Sequence, residues 1–452
     1  MITSNRQDYL KDLYEVLFEF TTGEGLDITH FQSQEGSEFF DDVTINGREY
    51  KYKNSYNYNG ILELKRYEKR FSKLSLYLSL EDYLGVSLTW GALTGIRPVK
   101  MARDLGDNFH RDFTEIFKVT PKKIALVQEI LEVQKTFYDK NGEYSGLFIG
   151  IPFCPSRCLY CSFVSEIVSK SKFVNEYVTA LIKEIDALNV DASLRSVYVG
   201  GGTPVCLTNE QFESVLKAIK SKIKWEVEFT VEAGRPDVIT PEKLKIMKDY
   251  GVTRICVNPQ TFNDKTLEII GRKHTAEDIK SRFFLAKSYG FKINCDLIAG
   301  LNGETLSDFK YSLLEAIKLN PENVTVHTLC LKKGSVLKTE TVRLEENDID
   351  KIIDYSYQEL KRNGYRPYYL YRQKYAKGNL ENVGYAKPNE ECIYNVDVME
   401  ETSNNFACGA NAVSKRVFPS ENRIERYGSP KDIKTYIDKV DQIIQDKNKL
   451  FN

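Results

Sequence analysis

The stretch SVYVGGGTPVCLTNEQF, residues 196–212, writes out the start of one β–α unit. An apolar, β-rich run ends in three glycines, Gly200 to Gly202, and a helix start follows. Thr208 and Gln211 stand three apart, as a capping box requires. The same rhythm surrounds it from Gly146 onwards. Short β-rich runs recur as LFIGI (147–151), EVEFTVEA (226–233), RICVN (254–258), KINCDLIAG (292–300) and NVTVHTL (323–329), each divided from the next by a helical segment. Thr240-Pro241 marks another helix start, with proline at the first helical position. Six β–α repeats predict an α/β fold: a parallel sheet with right-handed crossovers, curved into a partial barrel or laid out open. A complete eight-fold barrel needs two more units, which the sequence does not offer.

The regions on either side read differently. Residues 1–140 are expected to form an N-terminal α+β domain. Leu10, Leu13, Tyr14 and Leu17 share one helical face, and DVTINGREYKYK alternates around Asn46-Gly47, a hairpin turn. The repeats occupy residues 146–335. Beyond residue 345 the chain is aromatic and irregular (RPYYLYRQKY, 366–375), which suits a smaller C-terminal domain over 345–452.

Composition narrows the function. The 452 residues carry 63 basic and 64 acidic side chains, a net charge of −1, which speaks against bulk nucleic-acid or membrane-surface binding. No run of 18 apolar residues occurs and no secretion signal is read at the start, so no membrane span is expected. Nine cysteines in such a chain are expected to be reduced thiols of a cytoplasmic protein.

In either parallel architecture the working groups sit at the C-terminal ends of the strands. That rim collects the unusual residues. Cys154, Cys158 and Cys161 follow the first strand as C-x₃-C-x₂-C in GIPFCPSRCLYCSF (150–163). Gly201, Gly202 and Thr203 follow the second, Glu232 ends the third, Gln260 follows the fourth and Asp296 lies near the end of the fifth. Structural zinc asks for four Cys or His ligands, usually in two pairs, and none of the four histidines lies near this loop in sequence. Three closely set thiolates suit an iron–sulfur cluster better, with one iron left open to another ligand.

These residues carry a resemblance. C-x₃-C-x-[aromatic]-C after a first strand, with GGGTP after the second, resembles the radical S-adenosylmethionine (SAM) superfamily. IPFCPSRCLYC, YVGGGTP, TVEAGRPD, NPQTF, GRKHT and DLIAGLNGET follow in order the pattern of oxygen-independent coproporphyrinogen III dehydrogenases. LTGIRPVK and GNLENVGYAKPNEECIYN point to the HemZ branch, which has an extra N-terminal region. The resemblance implies a partial (β/α)6 radical SAM barrel, a 4Fe-4S cluster on Cys154, Cys158 and Cys161, and SAM on its open iron. It implies Tyr160 at the adenine, and Gly201, Gly202 and Thr203 bringing backbone amides to the SAM amino and carboxylate groups. Glu232 and Asp296 would take the ammonium and ribose hydroxyls, and Gln260 and Arg272 further polar groups. Phe148 stands where some relatives have a tyrosine, and Gly150 where they have a histidine. Phe148 could pack in a second SAM region but has no hydroxyl to donate.

The implied partners are coproporphyrinogen III and a low-potential electron donor. The implied reaction converts two propionates to vinyl groups, giving protoporphyrinogen IX. Four propionates ask for cations, and Arg97, Lys100 and Arg103, or Arg366, Arg372 and Lys374, are candidates. Two other readings share these motifs: a haem chaperone, whose H-N-x-x-Y-W signature is missing here, and a radical SAM enzyme modifying haem itself.

Overall fold

All six strands expected from the repeats form, each beside the next in chain order. They were located in a computed structural model, which describes residues 1–451 apart from 22, 164, 191–192, 331–345 and 374–379. The chain divides into two compact units, Met1–Glu132 with Tyr371–Glu381, and Val133–Leu370 with Asn382–Asn452.

The first unit begins with a four-stranded sheet, β1 (Ile2–Ser4), β2 (Ile28–Glu35), β3 (Glu38–Ile45) and β4 (Arg48–Ser55), in that order. Strands β3 and β4 are joined by Asn46-Gly47, both at positive φ (47° and 85°), so the hairpin turn lies where its sequence marks it. The helix Leu10–Phe20 buries Leu13, Val16 and Leu17 against Ile28, Val43 and Ile45 of the sheet and Leu76 and Leu80 of the helix Ile61–Leu84. Segment 371–381 belongs to this unit through its charges. Glu381 accepts from the Trp90 indole at 2.7 Å and from Lys123 at 2.6 Å, and Arg372 lies 3.2 Å from Glu19 and over the Trp90 ring.

The second unit holds β5 (Ser145–Ile151), the short pair β6 (Phe153–Cys154) and β7 (Glu166–Ile167), then β8 (Leu194–Gly201), β9 (Glu228–Gly234), β10 (Arg254–Val257), β11 (Lys292–Ala299) and β12 (Asn323–Thr328). Strands β5, β8, β9, β10, β11 and β12 are successive parallel neighbours. Their near-continuous burial explains their legibility, because a parallel strand covered on both faces needs no polar alternation. The helices between them start as expected: Thr208 and Gln211 form a reciprocal capping box, and Thr240 caps a helix with Pro241 at its first turn.

Residues 345–452 do not stand apart as a single block. Strands β13 (Arg366–Arg372) and β14 (Glu381–Ala386) extend the sheet beyond β12. At the opposite end, β15 (Asn404–Cys408) pairs in parallel with β5, and β16 (Val413–Phe418) and β17 (Arg423–Gly428) follow antiparallel. The described sheet therefore has eleven strands and ends in β13 and β17, a partial barrel rather than a closed one.

The N-terminal end of the parallel strands is plugged by a buried arginine. Arg254 of β10 donates to the side-chain oxygens of Asn294 in β11 and Asn323 in β12, and lies 3.5 Å from Glu228 in β9. It also donates to the carbonyls of Glu390 and Glu391, at 3.0 and 3.2 Å. Side chains from four adjacent strands meet on one guanidinium only if the sheet curls around it. Glu228 in turn accepts from the amides of Ile393 and Tyr394, at the start of the helix Ile393–Glu400, where an acid offsets the helix dipole.

Candidate active site

The opposite, C-terminal end of the strands gathers the residues singled out in the sequence. The cysteine loop leaves β5, and its first thiol, Cys154, accepts a hydrogen bond from the Thr203 hydroxyl at 3.6 Å. Cys154, Cys158 and Cys161 are all half-buried and unoxidised. Burial pushes the thiols of Cys154 and Cys161 up, and at Cys154 the Thr203 hydroxyl and the Arg235 charge work against it. Cys206, nearby in the turn after β8, is pushed by burial to about 12.

The glycine run fixes this loop against the sheet. The amide of Gly202 donates to the carbonyl of Ile151 at 2.8 Å, and that of Thr203 to Phe153 at 2.7 Å. These two amides are thus spent on the loop itself, where the resemblance implied that they reach toward SAM. A Cβ on Gly202 would sit 2.3 Å from the Phe153 oxygen, so only glycine permits the approach. Gly201, at φ 99°, turns the strand end and places its amide on the Glu232 carboxylate.

Glu232, half-buried on β9, accepts from the Tyr198 hydroxyl at 2.7 Å. Burial outweighs that bond and raises its carboxyl to about 7, with Asp296 adding to the rise. Asp296 lies on β11, 3.8 Å from His327 Nε2 on β12. Gln260 ties the next strand end to it: its amide donates to the Asp296 carbonyl at 2.9 Å, and it holds φ 66°, a conformation a non-glycine residue keeps only under constraint. Arg272 completes the ring. It donates to the Asn258 carbonyl at 2.5 Å and to the Tyr160 hydroxyl at 3.1 Å. Burial raises the Tyr160 phenol well above its usual value even with this guanidinium beside it.

Phe148 stands on β5 within an aromatic stack. Its ring lies 6.4 Å from both Tyr198 and Tyr394, which are 4.7 Å from each other, all within about 20° of parallel. This stack crosses the middle of β5 and β8, and Tyr198 links it to Glu232. The structure brings the residues expected to hold the cluster and SAM to one rim, together with Tyr198, Arg235 and His327, which the sequence reading assigned no role; Tyr394 joins the stack from the helix that starts on Glu228. Arg235 sat in plain view within TVEAGRPD. Tyr394 stood within GNLENVGYAKPNEECIYN, read only as a mark of the branch.

The candidate propionate anchors fall mostly in the first unit. Arg97, Lys100 and Arg103 are half-buried at the helix Pro98–Leu105, with Lys100 3.4 Å from Asp104, and Arg372 is buried on Glu19, all within the first unit. Arg366 is exposed at the start of β13, and Lys374 lies outside the described residues.

Known proteins bear on this rim directly. The model of the radical SAM superfamily matches residues 148–316. Over 399 residues the chain is 36% identical to the oxygen-independent coproporphyrinogen-III oxidase-like protein HemZ of Bacillus subtilis, covering 83% of this chain and 79% of that protein. The chain belongs to this radical SAM family. The heme chaperone HemW of Haemophilus influenzae is 30% identical over 67% of this chain and 78% of its own length. In fold, this radical SAM protein is similar to coproporphyrinogen III oxidase (HemN) from Escherichia coli, with a TM-score of 0.53 at 21% identity, over 70% of this chain and 72% of that one.

The cofactors of the superfamily are a 4Fe-4S cluster and SAM. The rim of this radical SAM enzyme fits them. Cys154, Cys158 and Cys161 offer three half-buried thiols on one short loop, the donor set a cubane takes on separate irons. Among the described residues, the buried atoms Gln260 Oε1, Arg272 Nε and Asn258 Oδ1 have no hydrogen-bond partner. Native interiors satisfy such atoms, so these three, close to the cysteine loop, are open to a polar ligand such as SAM. Among the described residues, no helix is long and apolar enough to cross a membrane.

Proposed function

We propose that this protein oxidatively decarboxylates two propionates of coproporphyrinogen III to give protoporphyrinogen IX, without oxygen. Its similarity to HemZ over most of both chains is the observation that carries the reading. Cys154, Cys158 and Cys161 would hold the cluster, each on one iron. When bound, the reduced cluster and SAM supply a 5′-deoxyadenosyl radical able to take a hydrogen atom from a propionate side chain. The protein's own part is binding and orientation. Glu232, Gln260, Arg272 and Asp296 would hold SAM by its charged and hydroxyl groups, with Tyr160 at the adenine and Gly201, Gly202 and Thr203 fixing the floor. The stack of Phe148, Tyr198 and Tyr394 offers a flat apolar wall suited to a pyrrole or a second SAM. A low-potential electron donor to cleave SAM, and an acceptor for the electron released with each carbon dioxide, complete the system, and the setting is cytoplasmic.

The second reading is a haem-binding chaperone, favoured by the similarity to HemW proteins. The two part in one experiment. Anaerobic incubation with reductant, SAM and coproporphyrinogen III, followed by mass analysis, should show sequential loss of two carboxyl groups with 5′-deoxyadenosine formed. Tight haem binding with unaltered coproporphyrinogen would favour the chaperone.

A further inference from the structure

Arg235 follows β9 in the segment TVEAGRPD and is 3% exposed. Its guanidinium is gripped on one side by Asp237, with Nε and Nη2 donating to the two carboxylate oxygens at 2.9 and 2.8 Å. The remaining nitrogen, Nη1, reaches across to the cysteine loop, donating to the Ser156 hydroxyl at 2.5 Å and more weakly to the Ser156 carbonyl at 3.4 Å. Ser156 is the middle of the three residues between Cys154 and Cys158. Asp237 is itself backed by His274 from the GRKHT segment, Nδ1 lying 3.7 Å away. Against burial, His274 and Arg235 together hold the Asp237 carboxyl far below its ordinary value, so the pair stays ionised.

Two segments distant in sequence, TVEAGRPD and GRKHT, thus meet to aim one fixed cation at the spacer of the cysteine motif. A bidentate arginine is pre-organised, and a buried charge beside an iron–sulfur group acts on it with little screening. Groups one layer out from a metal set both ligand geometry and redox behaviour, and cluster potential follows local charge and hydrogen bonding.

We propose that Arg235 is a positioning residue for the iron–sulfur cluster: held by Asp237, it tethers Ser156 and sets the cluster's reduction potential. This goes beyond the substrate assignment and holds for either tetrapyrrole reading. It rests on the three cysteines holding the cluster, which the iron content of the unaltered protein tests separately.

The experiment uses the full chain, reconstituted anaerobically with iron and sulfide, as the unaltered protein and as Arg235→Gln, Arg235→Lys and Ser156→Ala. Cluster loss to an iron chelator and the potential of the cluster, by redox titration followed by electron paramagnetic resonance, are read without SAM. Ser156→Ala should lose its cluster several-fold faster at an unchanged potential, because the tether goes and the charge stays. Arg235→Gln should lose it faster and be harder to reduce. Arg235→Lys should keep most of the potential but not the tether. An unchanged potential in Arg235→Gln overturns the proposal. If that variant does not fold, unchanged cluster loss in both Ser156→Ala and Arg235→Lys overturns it equally.

Discussion

Tyr198 donates its hydroxyl hydrogen to Glu232 Oε1 across 2.7 Å, from β8 to the neighbouring β9. The bond favours the ionised carboxylate, but burial is the larger effect and leaves Glu232 at about 7 against an ordinary 4.5. A carboxylate that meets the SAM ammonium or ribose must be ionised to do so. SAM affinity, measured anaerobically by calorimetry, should therefore rise as pH increases through about 7. Glu232→Gln should flatten that rise, and Tyr198→Phe should move it to higher pH. A slope that survives Glu232→Gln would assign the titration to another group.

The same carboxyl has a stability signature of opposite sign. Its folded value lies above the unfolded one, so its contribution is fully present below about 4.5 and is lost as pH climbs to about 7. Over that window the unaltered protein should lose stability relative to Glu232→Gln, as read by denaturant titrations at matched pH. A constant difference between the two would show that Glu232 is not buried in solution.

Cluster ligation divides the thiols. Reconstituted protein should bind about four irons per chain, as a 4Fe-4S group requires. Cys154→Ala, Cys158→Ala or Cys161→Ala should abolish the visible absorption, while Cys206→Ala should keep it. Full absorption in Cys158→Ala would remove that residue from the site.

Asp296 separates cofactor from cluster. It sits on a different strand from the cysteine loop and lies beside His327 and Gln260. Loss of one buried charged contact costs roughly 2–5 kcal/mol, so Asp296→Ala should weaken SAM binding more than tenfold. The cluster spectrum should not change. Equal SAM affinity would make this aspartate a structural partner of His327.

The plug at the other end should govern stability alone. Arg254→Met removes a buried guanidinium that Glu228, Asn294 and Asn323 all face, leaving the half-buried Glu228 carboxylate without its cation. Breaking such a pair costs about 3–5 kcal/mol, to be read from the urea midpoint. SAM affinity of the folded fraction should stay as it was.

The contrast between Asp296 and Arg254 shows what sequence can reveal. The six parallel strands were legible because each is an apolar run bounded by glycines or helix caps, signals contained within a dozen residues. Rim residues such as Glu232, Gln260 and Asp296 were legible for the same reason, since strand ends in a parallel fold share one side. Arg254 lay inside one of those runs and looked like any strand residue. Its partners come from three other strands and from residues 390–391, and no local pattern announces that meeting. Tyr394 likewise reaches the aromatic stack only through the fold. The division of residues 345–452 between the two ends of the sheet was hidden too, because strand pairing between distant segments leaves no mark on either alone.

The pairing of β15 with β5 bears on how the molecule is made. The strand that leads into the cysteine loop has β8 on one side and β15 on the other, with Leu147 beside Phe406. On a ribosome, β8 emerges soon after β5, but residues 404–408 follow much later. Until then β5 presents an unpaired edge, the kind of surface to which stray strands attach. The wall of the cysteine loop is therefore incomplete until residues 404–408 have been made, so a nascent chain lacking them should hold a cluster less well than one that includes them.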